Sequence, residues 1–452
     1  MLRTPLSRRA FLGAAAFTTL RAAERLPNFV FILADDLGYG DLGCFGSKDL
    51  RTPVLDQMAA DGVKLTSFYA APVCTPSRTS IMTGCYPIRV GLGNGVLFPY
   101  SKTGISSEET TISQLLKARG YATAIIGKWH LGHQEKFLPQ QHGFDYHFGT
   151  PYSNDMNRNH YKTPEFIAPP LPLLRNGELI EQDPNQAELT RRYAEESVAF
   201  MKRNKEKPFF LYITPNMPHL PLAASDKFRG KSKRGIYGDA VEELDWGVGE
   251  ILRGIRELGL EKDTLVFFTS DNGPAQVAKP DNGSAGPLRG RKASTWEGGM
   301  REPTIARWPG TIPAGTVRSE ITSTMDVLPT LAKLAGAAKP KSRIDGVDIF
   351  PVLEGKVGAK PPRDTFYYYS VDRLQAVRNG KWKLHVDRPD LKQEGLPLLY
   401  DLEADIGETT NVAGGNPEVV GRLQKIAEIA RQDLGDLATG VKGNGIRPVG
   451  TL

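Results

Sequence analysis

Runs of consecutive apolar residues alternate along this chain with segments whose apolar positions recur every three or four residues, which predicts strands and helices in turn. Asn28 to Leu33, Tyr121 to Ile126, Phe209 to Thr214 and Leu265 to Thr269 read as strands buried on both faces. Between them, Thr52-Pro53 opens a helix that Gly62 closes, and Thr75-Pro76 opens another that Gly84 stops. Thr111 to Arg119 puts Ile112, Leu115 and Leu116 on one helical face before Gly120. Val241, Leu244, Val248, Ile251, Leu252, Ile255 and Leu258 also keep helical spacing. Strands alternating with helices predict an α/β domain, a parallel sheet between helices.

The rhythm changes in the Pro-, Lys- and Gly-rich stretch from Lys339 to Arg363. Beyond it, Phe366 to Ser370, Leu374 to Arg378 and Trp382 to His385 read as strands, with Asn379-Gly380 as a hairpin turn. Leu398 to Leu402 is a further strand, and Asn416-Pro417 opens a helix carrying Val420, Leu423, Ile426 and Ala430. This predicts a small antiparallel sheet with one helix, packed on the large domain. The expected organisation is a leader over residues 1–23, a catalytic α/β domain over 24–340 and a small α+β subdomain over 341–452. Thr150 to Asp183, rich in Pro and Asn, reads as a long excursion near the substrate.

Charge changes the picture only at the amino end. Ser7-Arg8-Arg9-Ala10-Phe11-Leu12-Gly13 resembles a twin-arginine export signal, followed by a short apolar run and by Ala22-Ala23. Its partner would be the twin-arginine export machinery, and its destination the periplasm or the extracellular space. Removing residues 1–23 leaves 53 basic against 51 acidic residues, and the formal charge falls from +6 to +2. The basicity therefore gives no case for nucleic-acid binding. No internal stretch has the length and apolarity of a transmembrane helix. Three cysteines, Cys44, Cys74 and Cys85, do not make a disulfide scaffold, although Cys44 and Cys85 remain open to pairing.

Polar residues follow the strands repeatedly. Asp35-Asp36 follow the first, Lys128-Trp129-His130 the second, His219 the third and Asp271-Asn272 the fourth. Ligands in open α/β sheets bind outside the carboxyl ends of the strands, so these residues are expected on one rim. Asp35, Asp36, Asp271 and Asn272 are oxygen donors, which suit Ca²⁺ or Mg²⁺ rather than zinc. Lys128 and His130 point to the same side if their segment is extended. Cys74 falls at a helix N-terminus, where free N–H groups and the dipole favour negative charge, and Arg78 follows one turn later.

Cys74-Thr75-Pro76-Ser77-Arg78 resembles the signature of type I sulfatases, whose cysteine is oxidised to formylglycine. Gly127-Lys128-Trp129-His130, Gly290-Arg291-Lys292-Ala293-Ser294 and Glu297-Gly298-Gly299-Met300-Arg301-Glu302-Pro303 match further family motifs, in the family's order. Gly127 to Asp155 looks most like the arylsulfatase A and N-acetylgalactosamine-6-sulfatase branch. The resemblance implies an alkaline-phosphatase-like sheet and a sulfate ester hydrolase acting on a sulfated small molecule or carbohydrate. It implies a metal site of Asp35, Asp36, position 74, Asp271 and Asn272, with calcium usual, and an enzyme that installs the aldehyde. In that reading a hydrated aldehyde at position 74 attacks sulfur. Arg78 stabilises the hydrate, Lys128 and Lys292 hold sulfate with Ser153, His219 assists the leaving alcohol and His130 assists sulfate release. The chain departs from the family at Cys85, where Arg or Lys is usual, and at Met82, where Leu is commoner. The alternatives are a phosphatase or phosphodiesterase of the same superfamily, or a non-catalytic calcium-dependent binder of sulfated glycans.

Overall fold

A computed structural model describes residues 25–158, 160, 167–275, 282–356, 361–391 and 395–452. The expected leader, residues 1–23, lies outside them. The strands are β1 (Asn28–Ala34), β2 (Val63–Tyr69), β3 (Thr103–Gly104), β4 (Ala122–Gly127), β5 (Tyr146–Gly149), β6 (Pro172–Arg175), β7 (Glu178–Gln182), β8 (Phe209–Thr214), β9 (Thr264–Ser270), β10 (Arg301–Arg307), β11 (Thr316–Arg318), β12 (Thr322–Ser323), β13 (Thr365–Ser370), β14 (Arg373–Asn379), β15 (Trp382–His385), β16 (Leu398–Asp401) and β17 (Gly450–Thr451). The helices are α1 (Pro53–Ala60), α2 (Cys74–Thr83), α3 (Ile112–Lys117), α4 (Gln186–Asn204), α5 (Gly235–Glu257), α6 (Glu297–Met300), α7 (Val327–Leu334), α8 (Phe350–Leu353) and α9 (Pro417–Leu434).

One large sheet runs β11-β2-β10-β9-β1-β8-β4-β5-β6-β7, with β12 also beside β2. Its centre, β9-β1-β8-β4-β5, is parallel, whereas β10 runs antiparallel to both β9 and β2. Alternation along β1 divides the core. Phe29, Phe31 and Leu33 face a cluster with α2, α3 and α7, while Val30, Ile32 and Ala34 face α1, α4 and α5. No helix among the described residues is long and apolar enough to cross a membrane.

The carboxyl segment forms the expected four-stranded antiparallel sheet, β13-β14-β15-β16, with α9 against it. Its β14–β15 hairpin turns one residue later than expected. Asn379 pairs with Trp382, so the loop is Gly380-Lys381, and Gly380 takes φ 60° at the first central position. The expected 150–183 excursion contains β6 and β7, which extend the large sheet, β6 antiparallel to β5 and β7 antiparallel to β6. Cys44 and Cys85 cannot pair, because they pack on opposite faces of the large sheet, and both are free thiols. Ile349, Val352 and Leu353 lie in the core of the large sheet. The chain end also returns to it, with β17 pairing β3 and the Arg447 N–H donating to the Arg89 carbonyl at 2.6 Å.

Candidate active site

Four adjacent parallel strands deliver the polar residues to one rim. Asp35 and Asp36 leave β1, Lys128 leaves β4, the turn to His219 leaves β8, and Asp271 and Asn272 leave β9. Strand β2 runs in the same direction, since two antiparallel steps through β10 separate it from β9, so α2 begins on that rim with Cys74. The motif residues fix this start. Ser77 Oγ accepts the Ala71 N–H and donates to the Ala71 carbonyl, both at 3.0 Å. Val73 is extended before the first turn, and Gly84 at φ 69° ends the helix by donating to Ser80. Close approach also shapes the rim at β4 and β5, where a Cβ on Gly149 would lie 1.8 Å from the Gly127 carbonyl oxygen.

The site is a dense lattice of opposite charges. Lys128 Nζ donates to Asp35 Oδ2 at 2.6 Å and to Ser153 Oγ at 3.2 Å, and neither ion of that pair is exposed. Arg78 Nη2 donates to Asp271 Oδ2 at 3.0 Å and lies 3.6 Å from Asp35, while Nη1 donates to the Lys128 carbonyl at 2.6 Å. Lys292 Nζ reaches Asp36 Oδ1 at 2.7 Å and lies 3.6 Å from Cys74 Sγ. Cys74 Sγ lies 3.5 Å from Asp35 Oδ1. Asn272 Nδ2 donates to Asp36 Oδ1 at 2.7 Å, leaving its buried Oδ1 without a hydrogen-bond partner. Every residue expected from the sequence therefore reaches this locality, Ser153 through Lys128.

Protonation follows from this lattice. Burial pushes the Asp35 carboxyl up, but Lys128, His219, Arg78 and Lys292 together hold it well below the usual carboxylate range. Burial and neighbouring Asp35 push Asp271 the other way. The Cys74 thiol is raised by burial and by Asp271, so it stays protonated at neutral pH despite Lys128 and Lys292. Burial, Lys128 and Arg78 lower His130, which is neutral. Its Nε2 is 2.8 Å from the Leu97 carbonyl, an acceptor only, so Nε2 carries the proton and Nδ1, buried and unpartnered, is left as a base. His219 uses Nδ1 to donate to the Leu220 carbonyl at 2.6 Å, and its Nε2 faces Asp36 Oδ2 at 3.6 Å.

The Lys128–His130 segment is not simply extended. His130 takes φ 63°, Asp36 φ 66° and Ala293 φ 68°, so three residues in the left-handed region flank one centre. Sequence reasoning missed the residues that hold His130. Thr75 Oγ1 donates to the His130 carbonyl at 2.9 Å and accepts the Leu97 N–H at 3.2 Å, and no local pattern announces a long-range tie of this kind. It also missed Glu302, whose buried carboxyl has no hydrogen-bond partner on either oxygen and is pushed up by burial, Asp271 and Asp36.

Ligand atoms of Asp35, Asp36, Cys74 and His219 all lie within 4.8 Å of one another. Asp271 abuts this group, accepting the Asp36 N–H at 3.2 Å. Taken with the orphaned Asn272 Oδ1, the oxygen-rich donor set fits a hard divalent cation. The protonated thiol is the poor member for any metal, and replacing it with an oxygen group would complete the set.

Such a sheet, with cations and carboxylates converging at its carboxyl rim, has the alkaline-phosphatase-like fold expected from the sequence. The sulfatase family model matches residues 27–337, and a model of the N-sulphoglucosamine sulphohydrolase C-terminal region matches residues 291–432. Human arylsulfatase A is 41% identical, with 91% of this chain and 89% of the relative covered. N-acetylgalactosamine-6-sulfatase of Canis lupus familiaris is 38% identical, covering 95% of this chain and 89% of the relative. The crystal structure of Ps i-CgsB in complex with k-i-k-neocarrahexaose superposes with a TM-score of 0.77 at 30% identity, covering 90% of this chain and 92% of that one. This chain belongs to the sulfatase family and is a sulfatase, an enzyme of sulfate ester hydrolysis.

Proposed function

We propose that this sulfatase cleaves the sulfate ester of a sulfated carbohydrate, with a formylglycine made from Cys74 as nucleophile and calcium or magnesium as metal. The observation that carries this reading is the state of Cys74. It stands between Lys292 and Asp35, where a nucleophile is needed, yet burial and Asp271 keep it a protonated thiol. A thiol so held is a poor nucleophile, and its conversion to an aldehyde hydrate removes that contradiction. The sugar assignment draws on the superposed Ps i-CgsB, which carries a neocarrahexaose.

The residues divide the work. Asp35, Asp36, Asp271 and Asn272, with position 74, would hold the cation, which supplies Lewis acidity to a sulfate oxygen. Lys292, with a side chain 20% exposed, meets incoming sulfate first, and wholly buried Lys128 with Ser153 receives it from below. Both ammonium groups favour the charge that develops on the sulfuryl oxygens. Arg78 fixes Asp271 and the Lys128 carbonyl and adds positive charge beneath position 74. His130 Nδ1 takes the proton when sulfate departs. His219 has Nδ1–H engaged with a carbonyl, so only as imidazolium, its second proton on Nε2, does it protonate the leaving alcohol, returning to the neutral Nδ1–H ring. Residues 24–340, with the 349–353 segment packed into their core, then act as the catalytic domain, and the rest of 341–452 as a subdomain braced against it. Export through the twin-arginine route, with an aldehyde-installing enzyme as second partner, completes the reading.

The test is peptide mass spectrometry across Cys74 on protein from a host that performs the modification, with Cys74→Ala as control. It is paired with hydrolysis of matched sulfate and phosphate esters. An aldehyde at position 74 with sulfate turnover is expected. An unmodified thiol in active protein would overturn the mechanism.

A further inference from the structure

Two connections at the carboxyl rim of the large sheet carry a run of exposed positive charge. The β1–α1 connection, residues 35–52, begins at Asp35 and Asp36 and reaches Arg51. The β8–α5 connection, residues 215–234, passes His219 and then runs from Asp226 to Arg234, where five basic residues stand against one acidic. Each leaves the carboxyl end of a parallel strand and enters a crossover helix, so both lie on the rim that holds the active site.

The second loop is held through its backbone. Asp239 on α5, 2% exposed, accepts the N–H groups of Gly230, Lys231 and Ser232 at 2.7, 3.0 and 2.8 Å. Glu243, also on α5, accepts the Ser225 N–H at 2.7 Å. These carboxylates lie beneath the loop and engage main-chain donors, while Lys227, Arg229, Lys231 and Lys233 stay exposed. Lys231 Nζ donates to the Lys227 carbonyl, an uncharged acceptor. Neither Lys231 nor Lys233 forms an ion pair among the described residues. Arg229 has only Asp226, at 3.6 Å, and an ion pair that open to water contributes little.

The patch is continuous with the site without being part of it. The Arg51 side chain is 67% exposed although it pairs with Glu242, and its Nη2 donates to the Lys231 carbonyl at 3.3 Å, tying the two loops together. Arg234 Nη2 donates to the Asn282 carbonyl at 2.6 Å, on the connection that runs from Asp271 and Asn272 to Lys292. Three loops that begin at site residues are thus joined beside the exposed cations. A single sulfate ester needs only the buried lattice around Asp35 and Asp36. A chain bearing several sulfates must lay the others over the rim, where exposed ammonium and guanidinium groups complement them.

We propose that the 226–234 loop, with Arg51, is an exosite for a polyanionic glycan, binding sulfates on other sugars of the chain while one ester occupies the polar centre. This role rests on the sulfated-carbohydrate reading, but binding at the patch can be tested without turnover. The probes are an ι-carrageenan hexasaccharide for the exosite, 4-nitrophenyl sulfate for turnover and inorganic sulfate for the polar centre. The variants of the mature enzyme are the pair Lys231→Glu with Lys233→Glu and the milder pair Lys231→Gln with Lys233→Gln. Both positions are exposed and the bonds to Asp239 use backbone N–H groups, so the loop keeps its anchor.

At low ionic strength the charge-reversed pair should weaken hexasaccharide inhibition of 4-nitrophenyl sulfate hydrolysis about tenfold, and the neutral pair by less. The difference should close as salt is added, since exposed charges are screened beyond about 10 Å at ~0.1 M. Inhibition by inorganic sulfate and turnover of 4-nitrophenyl sulfate should stay near the parent values. Unchanged hexasaccharide inhibition in the reversed pair, an equal loss of inorganic sulfate inhibition, or polyglutamate competing as well as the hexasaccharide would overturn the proposal and leave the catalytic mechanism standing. Calorimetric binding of the hexasaccharide that weakens as expected, in protein that turns over no sulfate ester, would uphold the exosite and count against that mechanism instead.

Discussion

Lys383 Nζ and Glu297 Oε1 meet at 2.9 Å with neither side chain exposed, and this ion pair joins β15 to the segment that carries Lys292. Lys383 also reaches Glu408 at 2.8 Å and the Thr295 carbonyl at 2.8 Å. Glu297 accepts the hydroxyls of Tyr69 at 2.6 Å and Tyr368 at 2.7 Å. Its own N–H donates to Glu408 Oε2 at 2.7 Å. Burial works against the Glu297 charge, but Lys383, Arg301 and Arg378 hold the carboxyl well below its usual range. The small sheet therefore braces the active-site loop through satisfied buried charge.

Removing one partner from such a pair leaves the others buried and unpaired. Lys383→Met should destabilise the protein by about 3–5 kcal/mol, and adding Glu297→Gln should recover part of the loss. Denaturant unfolding of the single and double variants measures both. Simple additivity would show that the pair is not coupled.

His130 Nδ1 is buried in the site without a hydrogen-bond partner. His130→Ala should lower kcat by roughly 10²–10⁴-fold with little change in inhibition by sulfate. Steady-state kinetics against an aryl sulfate separate the two quantities. A fall in sulfate affinity alone would move His130 from proton transfer to binding.

The two lysines should behave differently because their surroundings differ. Lys292→Ala should weaken sulfate inhibition about tenfold or more, and it also costs stability because buried Asp36 loses its nearest cation, though less than at Lys128 because the Lys292 side chain is 20% exposed. Lys128→Ala should cost activity and also about 3 kcal/mol of stability, because it leaves Asp35 buried without its nearest cation. Calorimetry beside inhibition assays distinguishes them.

Chelation should lower activity and Tm together, with Ca²⁺ or Mg²⁺ restoring both. A site at 100 times its Kd contributes about 2.7 kcal/mol. Restoration by Zn²⁺ in preference to both would contradict the oxygen-donor reading of Asp35, Asp36, Asp271 and Asn272.

Away from the site, Asp245 on α5 accepts the N–H groups of Val54 and Leu55 at the start of α1, at 3.1 and 2.8 Å. Burial raises its pKa from 3.8 to about 7. A carboxyl raised on folding binds its proton more tightly in the native state, so its contribution is full below the unfolded pKa. That contribution is lost as pH rises through about 7. Asp245→Asn should flatten the decline in stability between about pH 4 and pH 7. Urea titrations across that window check it, and an unchanged slope would sink the assignment.

Local chemistry made much of this protein legible in its sequence. Apolar runs such as Phe209 to Thr214 have one stable fate, a strand covered on both faces, and the polar residues that follow them fall on one rim once the strands are parallel. The start of α2 at Cys74 likewise follows from a short motif, because caps and turns are set by near neighbours. The hairpin at Gly380 was displaced by one residue because cross-strand pairing sets register, which the dipeptide alone does not contain. What only the tertiary structure decided is how distant groups meet: Thr75 with His130, Lys383 with Glu297, and Asp245 with the start of α1. Each is a contact between segments far apart in sequence, where burial raises the strength of a paired charge and the cost of an unpaired one. The sequence names the chemical groups, and the fold sets their protonation and their partners.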